Sequence, residues 1–368
     1  MIPVTKPSMP SRRRLDQYLT GIYRSQRLTN NGPLVRELTG RLEEFLGVRN
    51  LLLVSSGTMA LQVAYRALEV AGLPGRESFA AVTTPFTFVA TASSLKWEGL
   101  RPKYADIRPD TLNLCPRKAQ TILDKDTRML VPVHVYGNPC DVEEFAEIAV
   151  RSGLKLVYDA AHAFGIRLNG DSILNWGDAS VLSFHATKVF HTVEGGGIVF
   201  RDADVCERAA EIINFGINPV TEKVDRVGIN AKMSELHAAF GLALLDDIDM
   251  ILERRMELSA IYTGGLPAGL ETPIWNQAAS KNAAYMPVLF NSSEDRTRCE
   301  RALRDAKIGT RRYFSPCLGS DQDLPTLAVA KAASERVLCL PLYVGLSDKQ
   351  VAKIVSTITD ALQRQESH

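Results

Sequence analysis

Short apolar runs alternate with amphipathic stretches along the first two-thirds of this chain. Leu51–Val54, Phe79–Thr83, Met129–Val135, Leu154–Tyr158, Ser180–Phe184 and Gly197–Phe200 are largely apolar runs of strand length. Between them, Leu34, Leu38, Leu42 and Phe45 recur at helical spacing, from Pro33 to a stop at Gly47. Proline suits the first turn of a helix, and glycine ends one. Ala60–Leu68, Phe88–Leu95 and Val142–Arg151 also read as helices, with Ser56-Gly57-Thr58 as a turn. Strands that are apolar throughout, separated by helices, predict a mostly parallel sheet covered on both faces.

Residues 1–33 are polar and proline-containing and read as an arm with a short helix. A long helical pattern over Met233–Met256 would bridge into a smaller domain. That domain has strand character near Ala284–Phe290 and helices near Asp295–Ala306 and Asp348–Leu362. A chain of 368 residues exceeds what one core usually supports, so two domains are expected, at 1–250 and 251–368.

Charge narrows the classes. Forty-three Lys and Arg against 42 Asp and Glu leave a net charge of +1, which predicts neither a nucleic-acid nor a membrane partner. The run Arg12-Arg13-Arg14 reads as a solvated helix start. The six cysteines stand apart, with no CxxC pair and no metal-ligand spacing, as free thiols in a reducing compartment would. Met1–Pro10 lacks the apolar segment of a signal peptide, and no apolar run approaches the roughly 20 residues that span a bilayer. The expected setting is cytoplasmic.

In a parallel sheet the ligand sits beyond the carboxyl ends of the strands. Three such ends carry chemistry. Ser56-Gly57-Thr58 opens a helix, whose free N–H groups suit a phosphate; a serine there also fits a plain N-cap. Asp159 closes a buried strand and needs a partner, which a protonated pyridine nitrogen or a nearby Lys or Arg would each provide. Lys188 follows the next strand. In a dry site its amine would have a lowered pKa and react with a carbonyl; on a surface it would be an ordinary solvated lysine. Gly195-Gly196-Gly197 would let backbone pass close by. Together these groups offer one anchor each for the phosphate, ring nitrogen and aldehyde of pyridoxal 5'-phosphate (PLP).

Beyond this layout the chain resembles the DegT/DnrJ/StrS family of sugar aminotransferases. The matching stretches are Thr29–Pro33, Ser56–Thr58, Pro85–Thr91, His134–Gly137, Asp159–Gly165, Ser183–Lys188, Gly228–Ser234 and Leu338–Leu342. The resemblance implies the fold-type-I PLP-dependent transferase fold: an αβα sandwich with a smaller C-terminal α+β domain. It implies that Lys188 carries PLP, that Asp159 pairs with the pyridine nitrogen, and that Phe88 stacks on the ring. Gly57, Thr58 and Ser183 would bind the phosphate. Asn230 would reach the phosphate in a neighbouring subunit of a homodimer with shared sites. His162 stands where Gln is commonest and can equally donate to the ring hydroxyl; Lys232 stands where Arg is common. Asn31, His185, Arg311 and Tyr313 are the candidate substrate contacts, with Arg312 beside them, and His134 and Tyr136 are expected near the mouth. Phe88 as a core aromatic, Asn230 as a turn or cap residue, His185 as a packing residue, His134 and Tyr136 as structural residues, and Arg311, Arg312 and Tyr313 as surface loop residues fit the same positions.

The implied reaction moves an amino group from L-glutamate to a nucleotide-linked keto sugar. Leu28–Pro33, Asp159–Gly165 and Arg311–Pro316 most resemble the branch that aminates dTDP-4-keto-6-deoxyglucose at C4. Amination at C3 of the 3-keto isomer, or of a UDP-linked sugar, needs the same cofactor chemistry. Lysine at 188 argues against the family's dehydratases, which have histidine there. A non-catalytic regulator on the same fold would have lost an anchor, and none is lost here.

Overall fold

The structure is a computed structural model that describes residues 1–72, 79–319 and 325–363. A seven-stranded sheet forms its centre. In chain order its strands are β1 (Leu51–Val54), β2 (Phe79–Thr83), β3 (Leu100–Tyr104), β4 (Thr127–Val131), β5 (Lys155–Asp159), β8 (Ala179–Ser183) and β9 (Gly196–Phe200). They lie in the order β1-β9-β8-β5-β4-β2-β3, and only β9 runs against the rest. Between β5 and β8 sits a small antiparallel ladder, β6 (Arg167–Leu168) with β7 (Asp171–Ser172).

Alternation along each strand divides the core into two faces. Leu130, Leu156, Tyr158, Leu182 and Val199 point to one side. There they meet α2 (Pro33–Leu46), α6 (Val142–Ser152) and α8 (Glu235–Leu245) through Leu38, Phe145 and Leu242. Met129, Val157, Val181 and Ile198 point to the other side. There they meet α3 (Gly57–Ala67), α4 (Val89–Trp97) and α7 (Ala203–Ile212) through Leu61, Leu95 and Ala209. The result is the expected αβα sandwich around a mostly parallel sheet. The remaining helices of this part are α1 (Arg12–Ser25) and the short α5 (Pro116–Thr121).

The smaller core is built by α9 (Ile248–Gly265), β10 (Pro287–Leu289), α10 (Ser293–Asp305), β11 (Val337–Cys339) and α12 (Asp348–Gln363). α11 (Ala328–Arg336) leads into β11, which pairs antiparallel with β10. α9 serves both cores, giving Ile248 and Ile251 to the large one and Leu258 and Tyr262 to the small one.

Several elements differ from expectation. The long helix over Met233–Met256 is two helices broken at Asp246-Asp247. Two carboxylates oppose the negative end of α8, and their partners are Arg41, at 2.8 Å from Asp246, and Arg14 on Asp247. Arg14 therefore has a tertiary role, while Arg12 and Arg13 are exposed. The buried face of α2 is Val35, Leu38, Leu42 and Leu46, with Leu34 and Phe45 only partly buried. The strand expected over Met129–Val135 stops at Val131, because Pro132 has no N–H to continue the ladder. The turn expected at Ser56-Gly57-Thr58 is already the start of α3, capped by Ser56 Oγ on the Met59 N–H at 3.2 Å.

Candidate active site

The carboxyl ends of β1, β2, β5 and β8 converge on a cleft of about 330 Å³. Gly57, Thr58, Phe88, Asp159, His162, Ser183, His185, Lys188 and Tyr313 all line it, although they come from segments far apart in the chain. One end of the cleft is the N-terminus of α3 beside Ser183. A Cβ on Gly57 would lie 2.8 Å from the Cβ of Ser183, and one on Gly196 would lie 2.6 Å from the Ser56 carbonyl oxygen. Both positions need glycine for the helix to seat against β8 and β9. The first N–H groups of a helix lack intrahelical partners, so this end suits an anion.

Asp159 occupies the middle and is 6% exposed. One carboxylate oxygen accepts from Thr91 Oγ at 2.7 Å and the other from the Ala161 N–H at 3.1 Å. No ion pair reaches it among the described residues. Burial pushes its pKa up, against the pull of those two donors and of Lys188. A dry carboxylate without a paired cation is a seat for a cationic N–H donor. Burial lowers the Lys188 amine to about 8, opposed by Asp159 and Tyr313. That brings a nucleophilic amine within reach of neutral pH.

His162 lies against the same space. Its Nδ1 accepts the Tyr136 N–H at 3.2 Å, and burial, then the charge of Lys188, lowers its pKa well below the ordinary value. The ring is therefore neutral with its proton on Nε2, which is left as a donor. Its face stacks on Phe314 at 6.0 Å. Phe88 precedes α4 and is 58% exposed, so it is no core aromatic. His185 is exposed, with Nδ1 on Thr187 Oγ at 2.8 Å and Nε2 3.6 Å from Glu194.

Not every candidate meets here. Asn31 lines a separate depression between α2 and α7, because it precedes α2 on the far side of β1. Asn230 is exposed, on a segment bridged to Asn214, and Lys232 donates to Asn214 Oδ1 at 2.8 Å. Arg311 is exposed, with its backbone paired to Cys339, while Arg312 donates to the Ser334 carbonyl at 3.1 Å. His134 and Tyr136 are buried behind the cleft, not at its mouth. Tyr136 is held at φ 58, its N–H orienting His162 and its hydroxyl donating to the Tyr313 carbonyl. Sequence reasoning missed Thr91 and Tyr285. Thr91 lies three positions after Phe88, on the same face of α4. Tyr285, whose hydroxyl meets Lys188 Nζ at 3.2 Å, sits inside an apolar run that hides it.

These residues fit PLP: an anion seat, an aromatic face, a dry carboxylate, a neutral imidazole donor and an amine of lowered pKa surround one cleft of suitable size.

Comparisons with known proteins agree with this geometry. The description of the DegT/DnrJ/EryC1/StrS aminotransferase family matches residues 11–359. A dTDP-4-amino-4,6-dideoxy-D-glucose transaminase of Shigella dysenteriae is 40% identical over 367 residues, covering 97% of this chain and 98% of the relative. One of the same name from Escherichia coli is 35% identical over 371 residues, covering 97% and 98%. Among solved structures, DesI in the presence of its TDP-sugar product superposes with a TM-score of 0.91 at 32% identity, covering 99% of this chain and 94% of that one.

Proposed function

The chain belongs to the DegT/DnrJ/EryC1/StrS aminotransferase family, whose members depend on PLP, and from that premise we propose that it aminates C4 of dTDP-4-keto-6-deoxyglucose with L-glutamate as donor. The product is dTDP-4-amino-4,6-dideoxyglucose. The observation that carries the reaction type is the dry Asp159 carboxylate facing an amine, Lys188, lowered to about 8. The sugar is supported by the names of the two relatives at 40% and 35% identity.

Lys188 would hold the cofactor, Gly57, Thr58 and Ser183 its phosphate, and Phe88 one face of its ring. Bound PLP supplies an aldehyde that condenses with amines and a protonated ring that draws electrons from the reacting carbon. Asp159 would keep a proton at the ring nitrogen, because its buried carboxylate needs a cationic partner. His162, with Nε2 left as a donor, would serve the ring hydroxyl. Lys188 Nζ, when free, would take up a proton from one carbon and return it to the carbon two atoms along. His185 and Tyr313 line the cleft where substrate would enter, while Asn31 and Arg311 stand outside it.

The division between the two domains would fall at residue 250, inside α9, which gives side chains to both cores. Asn230 serves the phosphate of a second copy. Phe215, Val220, Val224, Val227 and Ile229 expose apolar surface on the segment that leads to it, which supports a homodimer. Among the described residues no helix is long and apolar enough to cross a membrane, and we place the enzyme in the cytoplasm. The test is NMR of the product formed from the keto sugar, glutamate and PLP. A new amine at C4 is expected; an amine at C3, or no product, rejects this substrate.

A further inference from the structure

The chain commits several buried polar groups to the placement of Tyr285. The hydroxyl oxygen of Tyr285 accepts from Lys188 Nζ at 3.2 Å, and its ring meets that of His162 edge-on at 4.7 Å. The segment that carries it is held from two sides. Asn282 Nδ2 donates to the carbonyls of His162 and Phe164 at 2.9 and 3.0 Å, and its Oδ1 accepts the Ala284 N–H at 3.0 Å. Arg255 of α9, 6% exposed, donates to the carbonyls of Ala283 and Ala284 at 3.0 and 2.9 Å. Among the described residues it has no ion pair, and burial lowers it to about 10. Ala283 itself is held at φ 45, where residues with a Cβ are uncommon. A buried guanidinium and a left-handed alanine are costly, and both serve to fix the two residues before Tyr285.

We propose that Tyr285 is the positioning residue for the Lys188 amine, its hydroxyl accepting from the ammonium and donating to the neutral amine. A carboxylate could only accept, so it could not donate to the lone pair that Nζ exposes once it has given up a proton. A phenol serves both states and holds Nζ on one line through the proton transfer. Burial raises the phenol of Tyr285, so it keeps its proton at neutral pH and remains a donor. The other titratable groups around Nζ are Asp159, His162 and Tyr313. The proposal rests on Lys188 being the amine that carries the cofactor.

Tyr285→Phe removes one oxygen and keeps the ring. In the full chain stripped of cofactor, the rate of Lys188 acetylation, followed by peptide mass spectrometry across its titration, reads the protonation of Nζ directly. The midpoint is expected to fall by about one pH unit, because of the two bonds lost the one from the charged ammonium is the stronger. A solvated surface lysine should not move. In the loaded enzyme kcat should fall by about a hundredfold with KM for the sugar little changed. An unmoved midpoint with unchanged kcat in folded Tyr285→Phe overturns the proposal and leaves the role of Lys188 standing. Transfer that persists in Lys188→Ala overturns that role instead. If Tyr285→Phe does not fold, Asn282→Ala decides, since it frees the segment from outside the cleft. A lowered Lys188 midpoint supports the proposal, and an unmoved one overturns it.

Discussion

Asp159 and Lys188 are ionisable groups moved from water into one cleft, and each is shifted toward its neutral form by burial. In the proposed roles, a cationic ring nitrogen would pair with the charged form of the first and a carbonyl would react with the neutral amine of the second. Asp159→Asn keeps the size and one acceptor oxygen but removes the charge and turns the other oxygen into an NH2 donor. Its kcat is expected to fall on the order of 10²–10³-fold, the usual cost of deleting one aimed electrostatic group, with the melting temperature held. Steady-state kinetics beside a thermal melt check this. Lys188 also leaves a mark on stability. The unfolded chain binds its proton up to about 10.5, whereas the folded chain releases it at about 8. Between those values the unfolded state holds more protons, so stability from this group rises with pH. In cofactor-free protein, the melting temperature of the parent minus that of Lys188→Met should therefore climb as pH passes from about 8 to about 10.5. A flat or falling difference contradicts the burial of Nζ.

At the scale of elements, two helix N-termini carry predictions. Gly57 lets α3 sit on the end of β8, and its substitution by Ala forces a contact of 2.8 Å with Ser183. Overpacking of that kind costs about 1–3 kcal/mol, so Gly57→Ala should weaken PLP affinity by about 10–100-fold in a fluorescence titration. The N-terminus of α2 is held by Glu235, 1% exposed, whose carboxylate accepts the Leu34 and Val35 N–H groups at 2.8 and 2.9 Å. Glu235→Ala strands both donors and should lower stability by about 1–3 kcal/mol in urea unfolding. The strands that build the site were legible in the sequence because strands buried on both faces are apolar throughout. β3 was not: it is an edge strand reading Leu-Arg-Pro-Lys-Tyr, where Pro102 and charges are tolerated. The break at Asp246-Asp247 was hidden because the partners of those carboxylates, Arg14 and Arg41, lie some 200 positions away in the chain. Asp159, Lys188 and their neighbours were legible because each follows a strand. Tyr285 was not, since only the fold brings it to the amine.

On the scale of the whole molecule, the cleft lies where the large core meets the small one. The aromatic cluster of Phe86, Tyr136 and Phe314 joins β2 and β4 to the segment before β11. Asp106, beyond β3, caps α11 through the Val329 and Ala330 N–H groups at 2.9 and 2.8 Å, a second tie between the two parts. Such ties hold the side of the cleft that carries Lys188 and the side that carries Tyr313 and Phe314 in one frame. The most direct test is the absorbance spectrum of the PLP-loaded protein near the visible edge, first with L-glutamate and then with dTDP-4-keto-6-deoxyglucose. A band that bleaches with glutamate and returns with the keto sugar is the predicted result. A band that bleaches and does not return rejects the sugar, and a protein that shows no band even with added PLP contradicts the account at its root.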